Sequence, residues 1–516
     1  MINSFCISSL SFLNVEFFFF VNIILLTLFL MVKGLNSRLR QFSTAYFRES
    51  FVSAVNSQTV NFLFFLFFLI FLVLFSLLNK RFFFFDLGFF NDNFVLLDKI
   101  LALISTFFVI FLSNSYLKEE SVLKSFEYFL IMSLSLVGMF FLISSNDFLS
   151  LYLSVEFQSL ALYVLAAFKQ NSLFSIEAGL KYFILGTFSS GLLLFGASLL
   201  YGFTGTLNFN ELDLIFQFNN FFKDDYLFKL GLLFFFSALM FKFTAAPFHM
   251  WAPDVYHGSP TIVTFFFSLT PKIIFLGLFT RLILLVFSPF EVFFRFIFFL
   301  SGFFSLLIGS LASIYQIKLK RLLAYSSISN VGYILMALSC AQIEALTSSF
   351  LFFFVYIFTT AAIFAIILGI RYFHNNFKFK TIFELMGLLN FNFFLALLFV
   401  VNLFSLLGLP PLSGFIVKFY LFFSAIGSEF YFFLYLSILG SIFSAVIYLR
   451  MIRLVLFNKF NNVFFYKPII SSFSSLLSFL ILINLFLFFY PSEIFKIFFC
   501  SVINFFKTEL ALNFIF

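Results

Sequence analysis

Four lysines and a glutamate sit where a membrane chain tolerates charge least. Glu156 lies in "LYLSVEFQSLALYVL", Lys181 in "EAGLKYFILG", Lys242 in "LMFKFTAAPFHMW", Lys272 in "SLTPKIIFLG" and Lys418 in "GFIVKFYLF". A charge at the centre of a transmembrane helix costs about 2.5–3.5 kcal/mol on insertion scales. Such residues face a bundle interior or a wet cavity and are functional candidates by default. Amines and carboxylates in that setting suit proton loading and release. Burial disfavours a charged lysine and a nearby carboxylate favours it, so changing their separation changes proton affinity.

Prolines mark two of these sites. Lys242 precedes Pro247 by five residues, and Pro410, Pro411 and Gly414 precede Lys418. Proline removes a backbone donor and clashes with the preceding turn, so each run is expected to contain a broken helix. The freed carbonyls then need partners, water among them. Lys272 follows Pro271 near the middle of its run. Each has a bland reading: Lys242 snorkels to an interface, and Lys418 is a stray lysine at a proline kink. For Glu156 the choice is between a carboxylate paired with a lysine of another helix and a neutral, hydrogen-bonded acid. Lys181 lies near the start of its run, where function and snorkelling are equally open. His249 follows the first break and suits either a proton relay or a cap on broken backbone. Arg281 lies near a helix end and reads as a snorkelling residue. His257 and His374 fall in loops and receive no role.

The elements that position these residues are membrane helices. The 516-residue chain is 63% hydrophobic and 10% charged, with a mean hydropathy of +1.13. A soluble domain carries about 25% charged residues. Apolar runs long enough to cross a bilayer recur throughout, and barrel-like alternation is absent, so the fold expected is an all-α polytopic membrane protein. Fourteen spans are expected, near 13–32, 57–79, 95–116, 126–144, 147–168, 176–201, 226–246, 260–286, 292–314, 321–341, 346–372, 393–424, 430–456 and 469–490. The tail beyond 491 reads as an interfacial helix or partial span. Under this count seventeen basic residues fall on one set of loops. Eight fall on the other: Lys80, Arg81, Lys99, Lys223, Lys229, Arg295, Lys496 and Lys507. The richer face should be the matrix or cytoplasmic one.

The lysine–proline pairs at 242–247 and 410–418 lie five spans apart. This suggests two inverted five-helix repeats, each with a broken fourth helix, a pattern that points to an ion path in transporters. The organisation expected is an N-terminal three-helix segment (1–125), a first repeat (126–286), a second (287–457) and a C-terminal span and tail (458–516).

Other chemistries lack their residues. Cys6, Cys340 and Cys500 are scattered, three histidines cannot supply paired haem ligation, and no nucleotide-binding glycine motif follows a strand. No cofactor or metal is expected in this chain, and the net charge of +8 follows membrane topology rather than nucleic-acid binding. The N-terminal run lacks a basic lead and a cleavage site and reads as a structural span. Phe occurs 104 times, which points to T-rich codons and an organellar gene.

Four stretches carry a family resemblance: "EAGLKYFILGTFSSGLLLFGASLLYGFTGT", "KFTAAPFHMWAPDVYHGSPT", "LKRLLAYSSISNVGYILMAL" and "LGLPPLSGFIVKFYLF". They resemble the antiporter-like membrane subunits of respiratory complex I, most strongly over 147–425. A lysine at 418 separates this chain from the subunit 4 type, which has glutamate there. The resemblance implies that Glu156 pairs with Lys242, that Lys181 lies near that pair, and that His249 stands between the paired sites. Lys272 would be the central proton carrier and Lys418 the terminal lysine. It implies a proton-translocating subunit of the mitochondrial inner membrane whose partners are other membrane-arm subunits, notably the subunit 4 and 4L types, with membrane lipids. NADH, FMN, iron–sulfur clusters and ubiquinone would belong to partner subunits. Two rivals remain at this stage, a subunit of a multi-subunit cation/proton antiporter and a structural scaffold.

Overall fold

The computed structural model describes residues 82–84, 88–119, 125–218, 225–370, 380–386, 388–457 and 471–512. The spans expected at 13–32 and 57–79, and His374, lie outside them. A bilayer leaves no water for unpaired backbone groups, so apolar segments close their own hydrogen bonds as helices. A small antiparallel hairpin, β1 (Phe82–Phe84) and β2 (Phe89–Asn91), precedes the helices.

The first helices are α1 (Asn93–Glu119), α2 (Ser125–Ser144), α3 (Phe148–Ala166), α4 (Leu173–Thr204), the short α5 (Phe209–Phe218) and α6 (Tyr226–Phe243). After a break come α7 (Trp251–Gly258) and α8 (Thr261–Arg281), which runs into a π-turn at Leu282–Val286. Next come α9 (Glu291–Ile314), α10 (Leu319–Cys340), α11 (Ile343–Gly369), α12 (Phe393–Leu407), α13 (Ser413–Gly427), α14 (Tyr431–Leu456), α15 (Ser471–Phe489) and α16 (Pro491–Leu512). Among the described residues, ten helices are individually long and apolar enough to cross a membrane. The expected span at 393–424 is the broken pair α12 and α13. The expected span at 469–490 is α15, and the tail turns away from it as α16, bent by 82°.

The middle of the bundle is α8, with every residue buried, beside the nearly buried α10 and α11. The flanks are α4, α9 and α14, which keep broad apolar faces exposed, as lipid-facing helices do. Close crossings use small residues. A Cβ on Gly138 would lie 2.7 Å from the Gln158 backbone, one on Gly196 2.6 Å from that of Phe235, and one on Gly309 2.6 Å from that of Ser329. Buried serines and threonines within helices mostly donate to carbonyls three or four residues back, so they add little uncompensated polarity.

Two sequence readings are corrected here. Lys99 is not a loop residue. It lies in α1, is 1% exposed, and donates to Asn91 Oδ1 at 2.6 Å. Arg281 does not snorkel. It is 2% exposed, and its guanidinium donates to the Ile143 and Ser145 carbonyls at the end of α2. Those carbonyls have no further helical turn to bond, so a fork of donors suits them better than water would inside the bundle.

Candidate site: buried lysines at two helix breaks

The first break begins one residue after Lys242's neighbour Phe243. Thr244 takes a left-handed conformation (φ 66°), the Ala246–Pro247 peptide is cis, and α7 resumes at Trp251. The freed carbonyls find protein partners. Thr244 N–H donates to Phe241 O at 3.2 Å, Ala245 N–H to Met240 O at 3.0 Å, and the Trp251 indole N–H to Phe241 O at 3.0 Å. The lone tryptophan therefore caps the interrupted helix. Its ring also stacks on Tyr182, with centroids 4.4 Å apart and planes 13° apart.

Lys242 is buried against α3. Its Nζ donates to the Tyr163 hydroxyl at 3.0 Å and lies 5.3 Å from the centre of the same ring. A hydrogen bond from a charged donor contributes about 1.5–3 kcal/mol, and a desolvated cation–π contact about 2 kcal/mol. Tyr163 is fixed in turn by an edge contact to Tyr182 at 4.8 Å. Gly186 on α4 makes room for it, since a Cβ there would overlap the tyrosine hydroxyl.

Glu156 does not contact Lys242 directly. Residues 156, 159 and 163 share one face of α3, with the Ser159 hydroxyl on the Glu156 side and the Tyr163 hydroxyl on the Lys242 side. Ser159 Oγ lies 3.1 Å from the Glu156 carbonyl oxygen and 3.3 Å from Glu156 Oε2, sharing its one proton between them. Glu156 remains within electrostatic range of Lys242. Sequence reasoning missed Ser159 and Tyr163. The i, i+3, i+7 spacing in "EFQSLALY" carried the signal.

Lys181 takes a different environment. Its side chain is 45% exposed and pairs with Glu177 at 2.7 Å and Asp254 at 3.0 Å. Asp254 also accepts from Arg321 at 2.7 Å, so this network ties α4, α7 and α10 together. Burial pushes the Asp254 carboxyl up, and Lys181 and Arg321 more than reverse this, holding it below the usual range. Burial, with the added charges of Lys318, Arg321 and Lys320, pushes the nearby His257 down to about 4. His249 is buried within the break, and its Nδ1 has no hydrogen-bond partner among the described residues.

Lys272 lies on α8, 1% exposed, with no hydrogen-bond partner for Nζ among the described residues. Two small, mostly apolar cavities with a few polar side chains in their walls lie between α8 and the second break. One, of about 10 Å³, touches Ser268, Tyr256, Asn330 and Tyr356. The next, of about 20 Å³, touches Asn330, Tyr356, Ser405 and Lys418. About 10–15 Å³ accommodates one water.

The second break repeats the first in construction. α12 ends at Leu407, Gly408 is left-handed (φ 83°), and the Pro410–Pro411 peptide is cis. A Cβ on Gly414 would overlap the Ser405 carbonyl, so glycine allows α13 to close against the end of α12. Lys418 Nζ donates to the freed carbonyls of Leu406 at 3.0 Å and Leu407 at 2.8 Å, and lies 5.3 Å from the Tyr333 ring centre. Asn484 on α15 latches the break. It donates to Asn402 Oδ1 at 3.2 Å and accepts from Ser413 at 3.5 Å.

A helical bundle with lysines buried at two interrupted helices defines a class, polytopic membrane proteins that hold charge inside the bilayer. The comparisons identify the family. Residues 145–444 match the family model described as NADH:quinone oxidoreductase/Mrp antiporter, TM, and the chain belongs to that family. It is 43% identical over 409 residues to NADH-ubiquinone oxidoreductase chain 2 of Marchantia polymorpha, covering 79% of this chain and 82% of that one. It is 38% identical over 384 residues to NADH-quinone oxidoreductase subunit N of Pelagibacter ubique, covering 74% and 79%. Among solved structures, a chain of respiratory complex I from Thermus thermophilus matches with a TM-score of 0.69 and 29% identity, over 86% of this chain and 98% of that one. A chain of the Mrp complex from Dietzia shares the fold, with a TM-score of 0.77 and 17% identity over 96% and 97%. The chain is thus an antiporter-like membrane subunit similar to chain 2 and subunit N.

Proposed function

We propose that this chain is a proton-translocating membrane-arm subunit of an NADH:ubiquinone oxidoreductase and moves protons along a buried axis of Glu156, Lys242, Lys272 and Lys418. The observation that carries the reading is the burial of all three lysines, each at most 7% exposed, two of them at helix breaks. The two water-sized cavities between α8 and Lys418 support a hydrated connection. Redox chemistry takes place in partner subunits that hold the FMN and iron–sulfur clusters and bind NADH and ubiquinone. This chain turns their signal into proton transfer. His249 passes protons between the paired sites or holds the first break together, and Lys181 tunes the network from its ion pairs with Glu177 and Asp254.

The matching construction of the breaks supports two inverted five-helix repeats, spans 4–8 and 9–13, within a fourteen-helix chain. The relatives named NADH-ubiquinone oxidoreductase chain 2 and the Phe-rich composition support a place in the mitochondrial inner membrane. The positive-rich loops then face the matrix. Neighbours are membrane-arm subunits of the subunit 4 and 4L types, with lipids on the exposed flanks.

The test uses Lys242→Ala and Lys418→Ala variants assembled into the intact complex in sealed vesicles. Protons moved per NADH oxidised should fall sharply in both. Full stoichiometry at full turnover would show that the lysines are structural.

A further inference from the structure

A second group of buried charges lies apart from the lysine axis. Arg281, in the last turn of α8, is 2% exposed, and its guanidinium donates to the Ile143 and Ser145 carbonyls, the latter at 3.1 Å. Asp98 on α1 is 1% exposed and lies within electrostatic range of Arg281. Its carboxylate packs on α8 at Gly277, where a Cβ would overlap it. Gly277 stands four residues before Arg281, so both lie on one side of α8. Lys272 stands nine residues before Arg281. That is two and a half turns, about 13 Å along the axis, which puts the lysine on the opposite side of the helix.

The turn that receives the guanidinium is itself tied down. Asn146 N–H donates to Gly88 O and Phe209 N–H donates to Asn146 O, both at 2.9 Å. This α2–α3 turn lies at one end of α3, and the α3–α4 turn with Lys169 lies at the other. The Arg281 cluster therefore sits at the end of the bundle remote from the positive-rich loops.

We propose that Arg281 seals the bundle against protons at this end of α8, with Asp98 balancing its charge and holding α1 against the helix. The inference rests on the proton-translocating reading above and concerns where protons do not pass. An arginine suits the task where a lysine would not. The guanidinium keeps its proton at every working pH, so it cannot accept one from a neighbour and release another. Its fixed charge opposes a proton arriving nearby, as an arginine does in water channels. Lys272, on the same helix, is an amine of the kind that exchanges protons when buried. The helix thus carries an exchangeable cation at its middle and a fixed one at its end. The guanidinium also occupies carbonyls that have no further helical turn to bond, a polar space that water would otherwise fill.

The test is passive proton leak, read as the decay of an imposed pH gradient across sealed vesicles that hold the intact complex without NADH. Arg281→Gln keeps an amide donor for the carbonyls and removes the charge. Its leak should rise about tenfold, the change that about 1.4 kcal/mol off a barrier produces. Arg281→Lys keeps a charge and should fall between Arg281→Gln and the unmodified complex. Asp98→Asn keeps the shape and leaves the guanidinium in place, so its leak should stay at the unmodified level. If Arg281→Gln blocks assembly by leaving Asp98 unbalanced, the double variant Asp98→Asn/Arg281→Gln removes both charges, which buried pairs tolerate better than the loss of one. It should leak as the single variant would. An assembled neutral variant as tight as the unmodified complex would overturn the seal and leave Arg281 a helix cap. Equal leak in Asp98→Asn would assign tightness to packing rather than to the guanidinium, again against the proposal. Tight membranes with fewer protons moved per NADH would make the cluster part of the route, and would also overturn it. The leak is read without NADH, so it is separate from the Lys242→Ala test, in which normal pumping refutes the proton-translocating reading itself.

Discussion

At the first break the lysine sits just before the interruption, and at the second it follows it. Both breaks place a left-handed residue at the helix end, a cis proline, and a tyrosine ring 5.3 Å from the lysine nitrogen. They differ in what receives the lysine's hydrogen bonds. Lys242 donates to a hydroxyl, which can accept one proton and release another. Lys418 donates to two backbone carbonyls, which accept hydrogen bonds and have no proton to give. The first site therefore faces a hydroxyl on α3, the helix that also carries Ser159 and Glu156. In the proposed mechanism the second holds its proton until a group beyond the carbonyls takes it. On the proposed reading, the shared construction gives one site arranged for relay and one arranged for storage.

The largest effect that would break this comparison is at Gly414. Replacing it with alanine drives a Cβ into the Ser405 carbonyl, which as backbone cannot rotate away. Complex assembly on native gels should fall severely, since overpacking costs about 1–3 kcal/mol or more. Gly186→Ala meets a side-chain hydroxyl instead. It should assemble and pump slowly, separating a structural glycine from one that makes room for a relay.

Next is the tyrosine pair. Tyr163→Phe should slow coupled turnover about tenfold. Tyr333→Phe should change it by less than about twofold, because the ring that faces Lys418 remains and a cation–π contact needs no hydroxyl. Equal losses in the two variants would erase the proposed difference between relay and store.

A smaller effect is expected at the latch. Asn484→Ala removes the bridge to Asn402 and Ser413. Loss of one neutral buried hydrogen-bonding group costs about 1–3 kcal/mol, so the complex should assemble with a modestly lower thermal midpoint. The smallest effect concerns pH. His257, pushed down to about 4, is neutral across pH 5–8. Its destabilising contribution grows only as pH falls from the ordinary histidine range toward 4, because the unfolded chain then binds the proton first. His257→Gln should leave the pH–activity profile between 5 and 8 unchanged. A shifted profile would mean that this histidine titrates in the working complex.

Much of the site was legible in the sequence because charge inside an apolar run is conspicuous. Lys242, Lys272 and Lys418 are buried at helix breaks or in the central helix, and the prolines at 247, 410 and 411 lie in or beside the interruptions. The partners were not legible. A tyrosine or serine in a membrane helix is ordinary, and only packing against α6 shows that Tyr163 receives Lys242. Arg281 and Lys99 were misread for a related reason. Closeness to a helix end suggested water, whereas carbonyls or an amide of neighbouring segments were already in reach. The fate of the tryptophan was hidden too, because capping a carbonyl ten residues earlier depends on the path of the break.

The central claim is that the buried lysines carry the transported protons, and Lys272 tests it most directly. It lies mid-bundle, and nothing among the described residues hydrogen-bonds its amine, so little structural role competes with proton transfer. The measurement is the number of protons moved per NADH oxidised in sealed vesicles holding the intact Lys272→Ala complex. The account predicts a clear fall in that ratio, or a matching loss of turnover, with assembly preserved. An assembled complex that pumps at the unmodified ratio and rate would contradict it.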